Sequence, residues 1–378
     1  MAVYKLFPEK DATIYSLFPN MNTGLDEILD VTNLNFALSS SAQIARFLVK
    51  FNQDQITSVL DDLVNGADWT ANFQLFIATA QSINLDYDLH IYPASGSWGM
   101  GTGKYLDQPI STDGVSWKWQ NYANGTPWPT STASLQAYTT GSWQTGNPGG
   151  AVWYTGSTNG IQLPVTQSFT YHSDKDLNVN VKNIVEVWKS GSGFANQGFL
   201  VKWEDTIEFN PAKAVQPVLQ YYSVDTHTIY PPVLEFKWDD SVWNISGSNK
   251  IVVPTDNVYA SIANNAGTFY SSSIQRFRID CRPKYPEIVF QTASLYTQNF
   301  FLPSGSSLYA IKDLDTNEYV IPFDPEYTKL SADQESSYFF LYMNGLQPER
   351  YYTILLQYTI SGSTIVQDME YNFKVVNG

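Results

Sequence analysis

The stretch Ala45-Arg-Phe-Leu-Val-Lys-Phe51 decides the fold class, because apolar and polar side chains alternate along it. Its odd-numbered residues are all apolar, whereas two of the positions between them hold Arg46 and Lys50. The residues from Tyr87 to Ile91 alternate in the same way. A period of two is typical of strands with one buried face, and aromatic residues, which favour pleated sheets, make up 15% of the chain. The sequence therefore predicts an all-β protein.

The chain is long enough for more than one domain. Its 378 residues exceed what one compact sandwich normally uses. The strand-like stretch from Val233 to Trp238 is followed by a polar stretch at residues 244–250, which is typical of a domain boundary. We therefore predict a first domain over residues 1–245, a linker with the first strand or strands over 246–283, and a second domain over 284–378.

The second domain carries local signals of an immunoglobulin-like or fibronectin type III-like β-sandwich. The segment Leu346-Gln-Pro-Glu-Arg-Tyr-Tyr352 resembles the Leu-x-Pro-x-x-x-Tyr corner of fibronectin-like sandwiches. Ser361 to Thr364 predict a hairpin turn between two apolar strands. Strand-like runs at Glu287 to Phe290 and Ser336 to Tyr342 agree with this fold.

One short segment of the first domain breaks the alternation. Ile56, Val59, Leu60 and Leu63 recur at helical spacing, and Asn65-Gly66 is a common helix end. We predict a short helix that caps one end of the first domain.

Residues 94–170 differ in composition from the rest of the chain. They hold six of the eleven tryptophans but only four charged residues, and dense turn signals predict ordered loops laid over a sheet. Tryptophan faces bind sugar rings and anchor protein interfaces. The candidate residues for binding a glycan or a partner are Trp117, Trp119, Trp128, Trp143 and Trp153. The alternative, which the frequent burial of large aromatic side chains favours, is a small core that pins the loops to the sheet.

Catalytic chemistry has little support in the sequence. Carboxylate pairs such as Glu204-Asp205 occupy adjacent positions, which face opposite sides of a strand. The three histidines are His90, His172 and His227. No Gly-x-Ser-x-Gly elbow accompanies any of them. We therefore predict no catalytic residues and no enzyme activity.

Few residues of the sequence are suited to bind a metal or a cofactor. Cys281 is the one cysteine, so it forms no intrachain disulfide and no cysteine-based zinc site. Asp174, Asp176 and Asn178 offer oxygen ligands at alternate positions, as calcium loops do, but a central glycine and a distal glutamate are missing. We predict no cofactor and no metal site, and leave calcium open as the alternative to a solvated turn.

The charge balance restricts the partners. The formal net charge is −15, so the summed field repels phosphate backbones and anionic lipid. The cluster Arg276, Arg278, Arg282 and Lys284 is short and lies near Asp280, and we assign it no nucleic-acid role. No stretch reaches the roughly eighteen apolar residues that span a bilayer. We expect neither nucleic acid nor a membrane as a partner.

The first two-thirds of the chain resembles the DNRLRE-type jelly-roll domain of bacterial surface proteins, some polysaccharide-active proteins and phage structural proteins. The fragments that carry this resemblance stand in order over roughly 240 residues. They are Lys10 to Tyr15, Asn22 to Gly24, Arg46 to Phe51, Ser97-Trp98, Gly101 to Gly103, Gly114 to Trp117, Leu177 to Val181, Ile184 to Trp188, Asn196 to Leu200 and Pro232 to Phe236. The Arg-Leu-Arg-Glu signature of the family is absent from this sequence. The resemblance implies a jelly-roll sandwich for the first domain, and any activity tied to the missing signature is in doubt.

The arrangement of the whole chain, with its opening from Tyr4 to Tyr15 and its ending around Tyr342 to Leu346, looks like virion structural proteins of large contractile-tailed phages. This resemblance implies synthesis in the host cytoplasm and assembly into a virion. The expected function is that of a non-enzymatic structural protein of the neck, collar, head or tail. We expect it to bind other virion proteins, in several copies per particle or as a homo-oligomer. The alternative is a carbohydrate-binding adhesin or receptor-binding protein.

Overall fold

The structure is a computed structural model. It describes residues 2–34, 43–81, 86–129, 149–158, 161–208, 216–248, 250–253, 258–263, 266–285 and 299–378. The chain forms two compact units. The N-terminal unit comprises Leu6–Leu63 and Thr70–Glu235, and the C-terminal unit comprises Met1–Lys5, Val64–Trp69 and Phe236–Gly378.

Strands dominate both units, so the all-β prediction is confirmed. In chain order the strands are β1 (Ala2–Leu6), β2 (Lys10–Tyr15), β3 (Ile28–Leu34), β4 (Gln43–Lys50), β5 (Trp69–Leu75), β6 (Ile77–Gln81), β7 (Tyr87–Pro93), β8 (Trp119–Asn121), β9 (Thr126–Pro127), β10 (Gly156–Thr158), β11 (Ile161–Leu163), β12 (Val165–Phe169), β13 (Leu177–Asn180), β14 (Phe199–Trp203), β15 (Val218–Tyr222), β16 (Val233–Trp238), β17 (Ile251–Val252), β18 (Val258–Ile262), β19 (Thr268–Tyr270), β20 (Ile274–Pro283), β21 (Phe300–Phe301), β22 (Ser307–Asp313), β23 (Tyr319–Ile321), β24 (Ser331–Ala332), β25 (Ser337–Tyr342), β26 (Tyr351–Ile360) and β27 (Ser363–Val376). The α-helices are α1 (Gln53–Ser58), α2 (Lys182–Ser190) and α3 (Asp205–Glu208).

The N-terminal unit is a β-sandwich. Its main sheet has the strand order β12-β7-β14-β4-β3-β15-β6, with β2 paired to β4. The antiparallel pair of β5 and β13 lies on the other side of the core. The rings of Phe73 on β5 and Phe199 on β14 stack with centroids 4.7 Å apart, and Phe51 packs edge-on against both. Aromatic side chains from facing strands therefore fill the centre of the sandwich.

Two helices close one end of this sandwich. Helix α1 begins after Asn52, whose side chain accepts hydrogen bonds from the amides of Asp54 and Gln55. It continues as a π-helical turn over Val59–Val64 and ends at Asn65, which has a positive φ of 44°. The predicted short helix is confirmed. Helix α2, which was not predicted, packs Trp188 against Phe199 at a centroid distance of 4.8 Å.

The C-terminal unit is a second β-sandwich. One sheet has the order β17-β21-β20-β25-β24, with β18 paired to β20, and the other has the order β19-β27-β26-β22-β23. Tyr309 on β22 stacks on Phe339 of β25 with ring centroids 4.2 Å apart, which joins the two sheets through their shared core. Residues 251–283, assigned from the sequence to a linker and first strands, contribute four strands to this unit.

The tyrosine corner and the hairpin turn of the C-terminal unit form where the sequence predicts them. The hydroxyl of Tyr352 donates to the backbone oxygen of Gln347 at 2.8 Å, the hydrogen bond expected of the tyrosine corner. Ser361 and Gly362, with φ of 51° and 83°, form the two-residue turn between β26 and β27. The predicted strand at Glu287 to Phe290 lies outside the described residues.

Candidate functional site

Three of the candidate tryptophans are buried. The exposed fraction of the side chain is 0% for Trp117, 2% for Trp128 and 0% for Trp153. Trp119 is half-buried, and its indole N–H donates to the side chain of Asn20 at 2.9 Å. Trp143 lies outside the described residues. The three buried rings present no face to a glycan or a partner, whereas Trp119 keeps part of its surface in solvent.

Trp117 and Trp153 are held by a cation from the main sheet. The guanidinium carbon of Arg46 lies 4.9 Å from the Trp117 ring centroid and 5.1 Å from that of Trp153. A guanidinium over an indole face is attracted by the ring quadrupole, most strongly where water is excluded. Arg46 also donates to the backbone oxygen of Gly150. A residue on strand β4 therefore attaches two distant parts of the tryptophan-rich region to the sheet.

The charge of Arg46 is balanced by a buried ionic network. Arg46 donates from Nε and Nη2 to the two carboxylate oxygens of Glu208, at 2.9 and 3.0 Å. Lys202 binds Glu208 at 2.8 Å and Asp205 at 2.5 Å. The side chains of Arg46, Lys202 and Glu208 are all 0% exposed. Because an unpaired buried charge is very costly, each of these residues depends on the others, and the cluster acts as a structural clamp.

A hydrogen-bond chain leads from this clamp towards the surface. The hydroxyl of Tyr92 donates to Asp205 at 3.1 Å and lies 3.3 Å from Nδ1 of His90. Burial, together with the nearby Lys202 ammonium, lowers the pKa of His90, so the imidazole is held neutral around pH 7. The neighbouring Lys202 and hydrogen bonds lower the pKa of Asp205 despite its partial burial. A neutral His90 and an ionised Asp205 therefore lie beside the clamp near neutral pH.

The residues considered for calcium serve as hydrogen-bond acceptors for separate groups. A carboxylate oxygen of Asp174 accepts from the amide of Asp176, and Asp176 accepts from the amide of Ile77 at 2.7 Å. The side-chain oxygen of Asn178 accepts from Asn72 at 3.0 Å. Within the described ranges, no group of three or more His, Cys, Asp or Glu side chains is arranged to hold a metal ion.

An exposed apolar surface lies in the same region as the tryptophans and was not recognised from the sequence. It consists of Leu17, Leu25, Tyr105, Leu106 and Ile110, which are between 37% and 50% exposed. We call these five residues the loop patch. They belong to two loops that run side by side, joined by backbone hydrogen bonds from Leu25 to Gly103 and from Asn22 to Ser111. Clustered exposed apolar side chains on a soluble protein usually mark an interaction site.

The loop patch rests on a rigid base. Asn22, which is fully buried, donates to the backbone oxygens of Met100 and Val115 at 2.6 and 2.8 Å and accepts from the amide of Gly103 at 2.8 Å. A Cβ at Gly101 would lie 2.3 Å from the Asn22 side-chain oxygen, so only glycine fits there. One side chain therefore fixes the two loops relative to each other.

The aromatic and strained members of the loop patch are also supported from below. The ring of Tyr105 packs on those of Tyr15 and Phe18, with centroids 4.9 and 6.1 Å away. Leu106 has a positive φ of 59°, which is unfavourable for leucine, and its amide contacts the sulfur of Met21 at 3.4 Å. Residues held in such conformations cluster at functional sites, where the surrounding structure compensates their cost.

Carboxylates surround the loop patch. Residues 16–30 and 99–118, which form the two loops and their ends, contain five carboxylates and two lysines. Asp26 accepts a hydrogen bond from the amide of Tyr105 at 3.0 Å, and Glu27 pairs with Lys104 at 3.4 Å. Partial burial raises the pKa of Asp26. The loops that carry the patch therefore hold an excess of acidic residues.

The C-terminal unit carries a contrasting surface on the sheet of β18, β20 and β25. Alternation along β20 places Arg276, Arg278 and Arg282 on its outer side, while Phe277, Ile279 and Cys281 are buried. Cross-strand pairing sets Tyr259 opposite Arg282, Tyr338 opposite Arg278 and Phe340 opposite Arg276. We call the three arginines and the three aromatic residues opposite them the Arg-aromatic face. Asp280 lies on the same outward side of β20, between Arg278 and Arg282.

The guanidinium groups of the Arg-aromatic face are positioned in two different ways. Arg278 forms a double hydrogen bond with Asp333 at 3.0 and 2.7 Å. That arginine lowers the pKa of Asp333 far below its usual value. Arg282 lies 4.6 Å from the ring centroid of Tyr259, and Arg276 lies 5.6 Å from that of Tyr338. Among the described residues, no carboxylate is within ion-pair distance of Arg276 or Arg282.

Comparisons with known proteins assign the chain to no family. No family model matches it, and no curated protein matches it. One similar solved structure is a DUF4785 family protein from Legionella pneumophila, at 9% identity and a TM-score of 0.17, covering 100% of this chain and 62% of the other. Another is a putative beta-galactosidase from Bacteroides fragilis, at 7% identity and a TM-score of 0.14, covering 97% and 41%. This chain thus spans less than two thirds of either protein, and likenesses at these scores support no argument on fold or function. No helix in the described part of the chain is long and apolar enough to cross a membrane.

Proposed function

We propose that this protein is a non-enzymatic structural component of a tailed-phage virion that acts through protein-protein contacts. The observation that carries the proposal is the loop patch. Its five apolar side chains are exposed, fixed by Asn22 and surrounded by carboxylates. An apolar centre with a polar rim is the usual anatomy of a protein interface. The preset loops lower the entropy lost when a partner binds.

The resemblance to virion proteins of contractile-tailed phages supports a virion as the setting of this proposal. A particle protein must keep its shape through assembly and release, and the buried clamp of Arg46, Lys202 and Glu208 supports such rigidity in the N-terminal unit. The proposed partner is another protein of the same particle.

Particle incorporation tests the proposal. A double variant, Leu106→Asp with Ile110→Asp, places charges in the loop patch at positions that are 50% and 42% exposed, so the fold should survive. We expect the variant to be depleted from purified particles when it replaces the native chain, as measured by quantitative mass spectrometry. Val242→Asp, at a residue that is 54% exposed outside the patch, is the matched control. Absence of the native chain from particles, or equal incorporation of the patch variant, would contradict the proposal.

Enzyme activity is tested separately. Purified protein is incubated with bacterial polysaccharides, and we expect no release of reducing ends. Release that is abolished by Glu204→Gln or Asp239→Asn would show catalysis by a carboxylate and would overturn the non-enzymatic part of the proposal.

Carbohydrate binding is the second candidate, and Trp119 favours it. This half-buried ring packs edge-on against Tyr122 at 5.1 Å and lies 5.0 Å from the Lys118 ammonium. Aromatic faces next to a hydrogen-bond donor are suited to sugar rings. Retention on a glycan array that is lost in Trp119→Ala and kept in Tyr351→Ala would support this function, and retention unaffected by Trp119→Ala would remove the residue from it.

A further inference from the structure

We propose that the loop patch of one copy docks onto the Arg-aromatic face of a second copy, so that the chain associates head to tail. The inference rests on the proposed function and names the partner of the loop patch. The pairing needs no partner other than a second copy, because the loop patch and the Arg-aromatic face belong to the same chain.

Charge complementarity is the first argument for this pairing. The two loops that form the patch and their ends contain five carboxylates and two lysines, whereas residues 274–284 contain four cations and one carboxylate. Asp333 and Glu335 pair with Arg278, and Asp280 lies between Arg278 and Arg282 on the same side of β20. Arg276, Arg282 and the exposed Lys284 remain as the cations available to a partner. Asp107, and Glu27 in exchange for its exposed pair with Lys104, would meet guanidinium groups that lack an ion pair among the described residues.

The apolar parts of the two surfaces are also complementary. The loop patch offers mainly aliphatic side chains, which pack well on aromatic rings and on the carbon stems of arginines. The Arg-aromatic face offers the rings of Tyr259, Tyr338 and Phe340, and Tyr259 is 45% exposed. Tyrosine and arginine are the residue types that most often dominate the binding energy of protein interfaces.

The extent of the face suits a partner larger than one side chain. Arg276 and Arg282 are six positions apart on the same side of β20, which corresponds to roughly 20 Å at about 3.4 Å per strand residue. Two cations at that separation can each reach a different part of an acidic rim. The net charge of −15 on each copy opposes association at long range, but ions at physiological strength screen it beyond about 8 Å.

The two surfaces differ, so the contact is heterologous. In such a contact each added copy leaves one loop patch and one Arg-aromatic face unused at the ends of the assembly. Association therefore continues until a ring closes or a filament forms. A protein present in several copies in a particle would use this geometry.

The test uses two full-length variants that each damage one surface. The patch variant carries Leu106→Asp and Ile110→Asp, and the face variant carries Arg276→Glu and Arg282→Glu. Sedimentation equilibrium measures mass against concentration for the native chain, for each variant and for their equimolar mixture. We expect the native chain to form species beyond the dimer and each variant alone to associate at least about thirtyfold more weakly.

The mixture distinguishes head-to-tail docking from every symmetric arrangement. The intact face of the patch variant can bind the intact patch of the face variant, and the damaged surfaces block further growth. We therefore expect a heterodimer that does not grow. The control carries Lys312→Glu and Lys374→Glu, at lysines that lie 5.6 and 5.9 Å from exposed tyrosine rings on the other sheet of the same unit. It should associate like the native chain.

Unfolding midpoints equal to that of the native chain verify that both variants fold. A native chain that stays monomeric, a face variant that still associates, or a mixture that stays monomeric would overturn the inference. Binding of an anionic polysaccharide that is lost in the face variant, with self-association unchanged, would overturn it in favour of a glycan. None of these results decides the proposed function, because incorporation of the patch variant into particles is measured independently.

Discussion

Arg46 and Glu208, 162 residues apart in the chain, form a doubly hydrogen-bonded ion pair in which neither side chain reaches solvent. Strand β4 supplies the arginine, and helix α3 supplies the glutamate after β14. Removing one member of such a pair leaves an uncompensated buried charge. The stability of the N-terminal unit should therefore depend strongly on it.

Glu208→Gln should destabilise the N-terminal unit by about 3 to 5 kcal/mol, because Arg46 and Lys202 lose their shared carboxylate. Urea unfolding followed by tryptophan fluorescence measures the change. Glu9→Gln is the control, because Glu9 pairs with Lys50 at 2.9 Å with 31% of its own side chain exposed, and an exposed pair contributes less than about 1 kcal/mol. Equal losses in the two variants would show that the clamp has no special role.

Asp11→Asn should stabilise the protein at high pH more than at low pH. Asp11 is buried; one carboxylate oxygen accepts from the amide of Val224, and the other has no hydrogen-bond partner among the described residues. Burial, then the nearby Asp225 and Asp26, raise its pKa. A raised folded-state pKa gives stability that is present below the unfolded pKa and is lost as pH rises through the folded pKa.

Urea unfolding of both proteins at pH 4.5 and pH 8 measures this effect. The free energy of unfolding of Asp11→Asn, relative to the native chain, should be higher at pH 8 than at pH 4.5. Asp54→Asn, at an exposed position in helix α1, is the control and should show little of this difference. A constant or reversed difference for Asp11→Asn would refute the assignment.

Trp128→Ala should cost about 3 to 5 kcal/mol of stability, the usual loss for a buried large aromatic. Its ring is 2% exposed, and its indole N–H donates to the backbone oxygen of Ser116 at 2.9 Å. Trp119→Ala should cost about 1 kcal/mol, because much of that ring stays in water. Chemical unfolding measures the free energy of unfolding of each variant. Similar losses would mean that Trp119 is also part of the core.

The reactivity of the Cys281 thiol should show whether the C-terminal unit is folded. Burial, with a smaller effect of Asp280, raises its pKa to about 12, and only the thiolate attacks disulfide reagents. We expect no reaction at pH 8 in the native state and rapid reaction in urea. Labelling before the C-terminal unit unfolds would show that the strand carrying Cys281 opens locally.

Much of the fold is readable from local pattern. Strand β4 and the hairpin of β26 and β27 follow from alternation and turn residues, because side-chain direction in a strand and positive φ in a turn are properties of neighbouring residues. The same holds for the tyrosine corner of Tyr352. The expectation that β4 buries only one face was wrong, because its other face is also covered and Arg46 lies buried against Trp117 and Trp153. Helix α2 was missed although Ile184, Val185 and Trp188 recur at helical spacing and Gly191 ends the helix, because these residues follow directly on the alternation of strand β13.

The division of the chain into compact units could not be read in the same way. The N-terminal unit ends at Glu235 within strand β16, and Val64–Trp69 belongs to the C-terminal unit although it precedes most of the N-terminal one. The core to which a strand belongs depends on contacts between residues far apart in the sequence. Local composition does not show these contacts.

The sequence by itself determined that this protein is built from strands, because the period of alternation is local. It also set the acidic net charge and identified the tryptophan-rich region as unusual. Only the tertiary structure decided which side chains of that region remain exposed, because burial depends on groups distant in the chain, such as Arg46 over Trp117 and Trp153. The same long-range packing brought the loop of Leu25 beside the loop of Leu106 and aligned Arg276 and Arg282 with tyrosines from neighbouring strands.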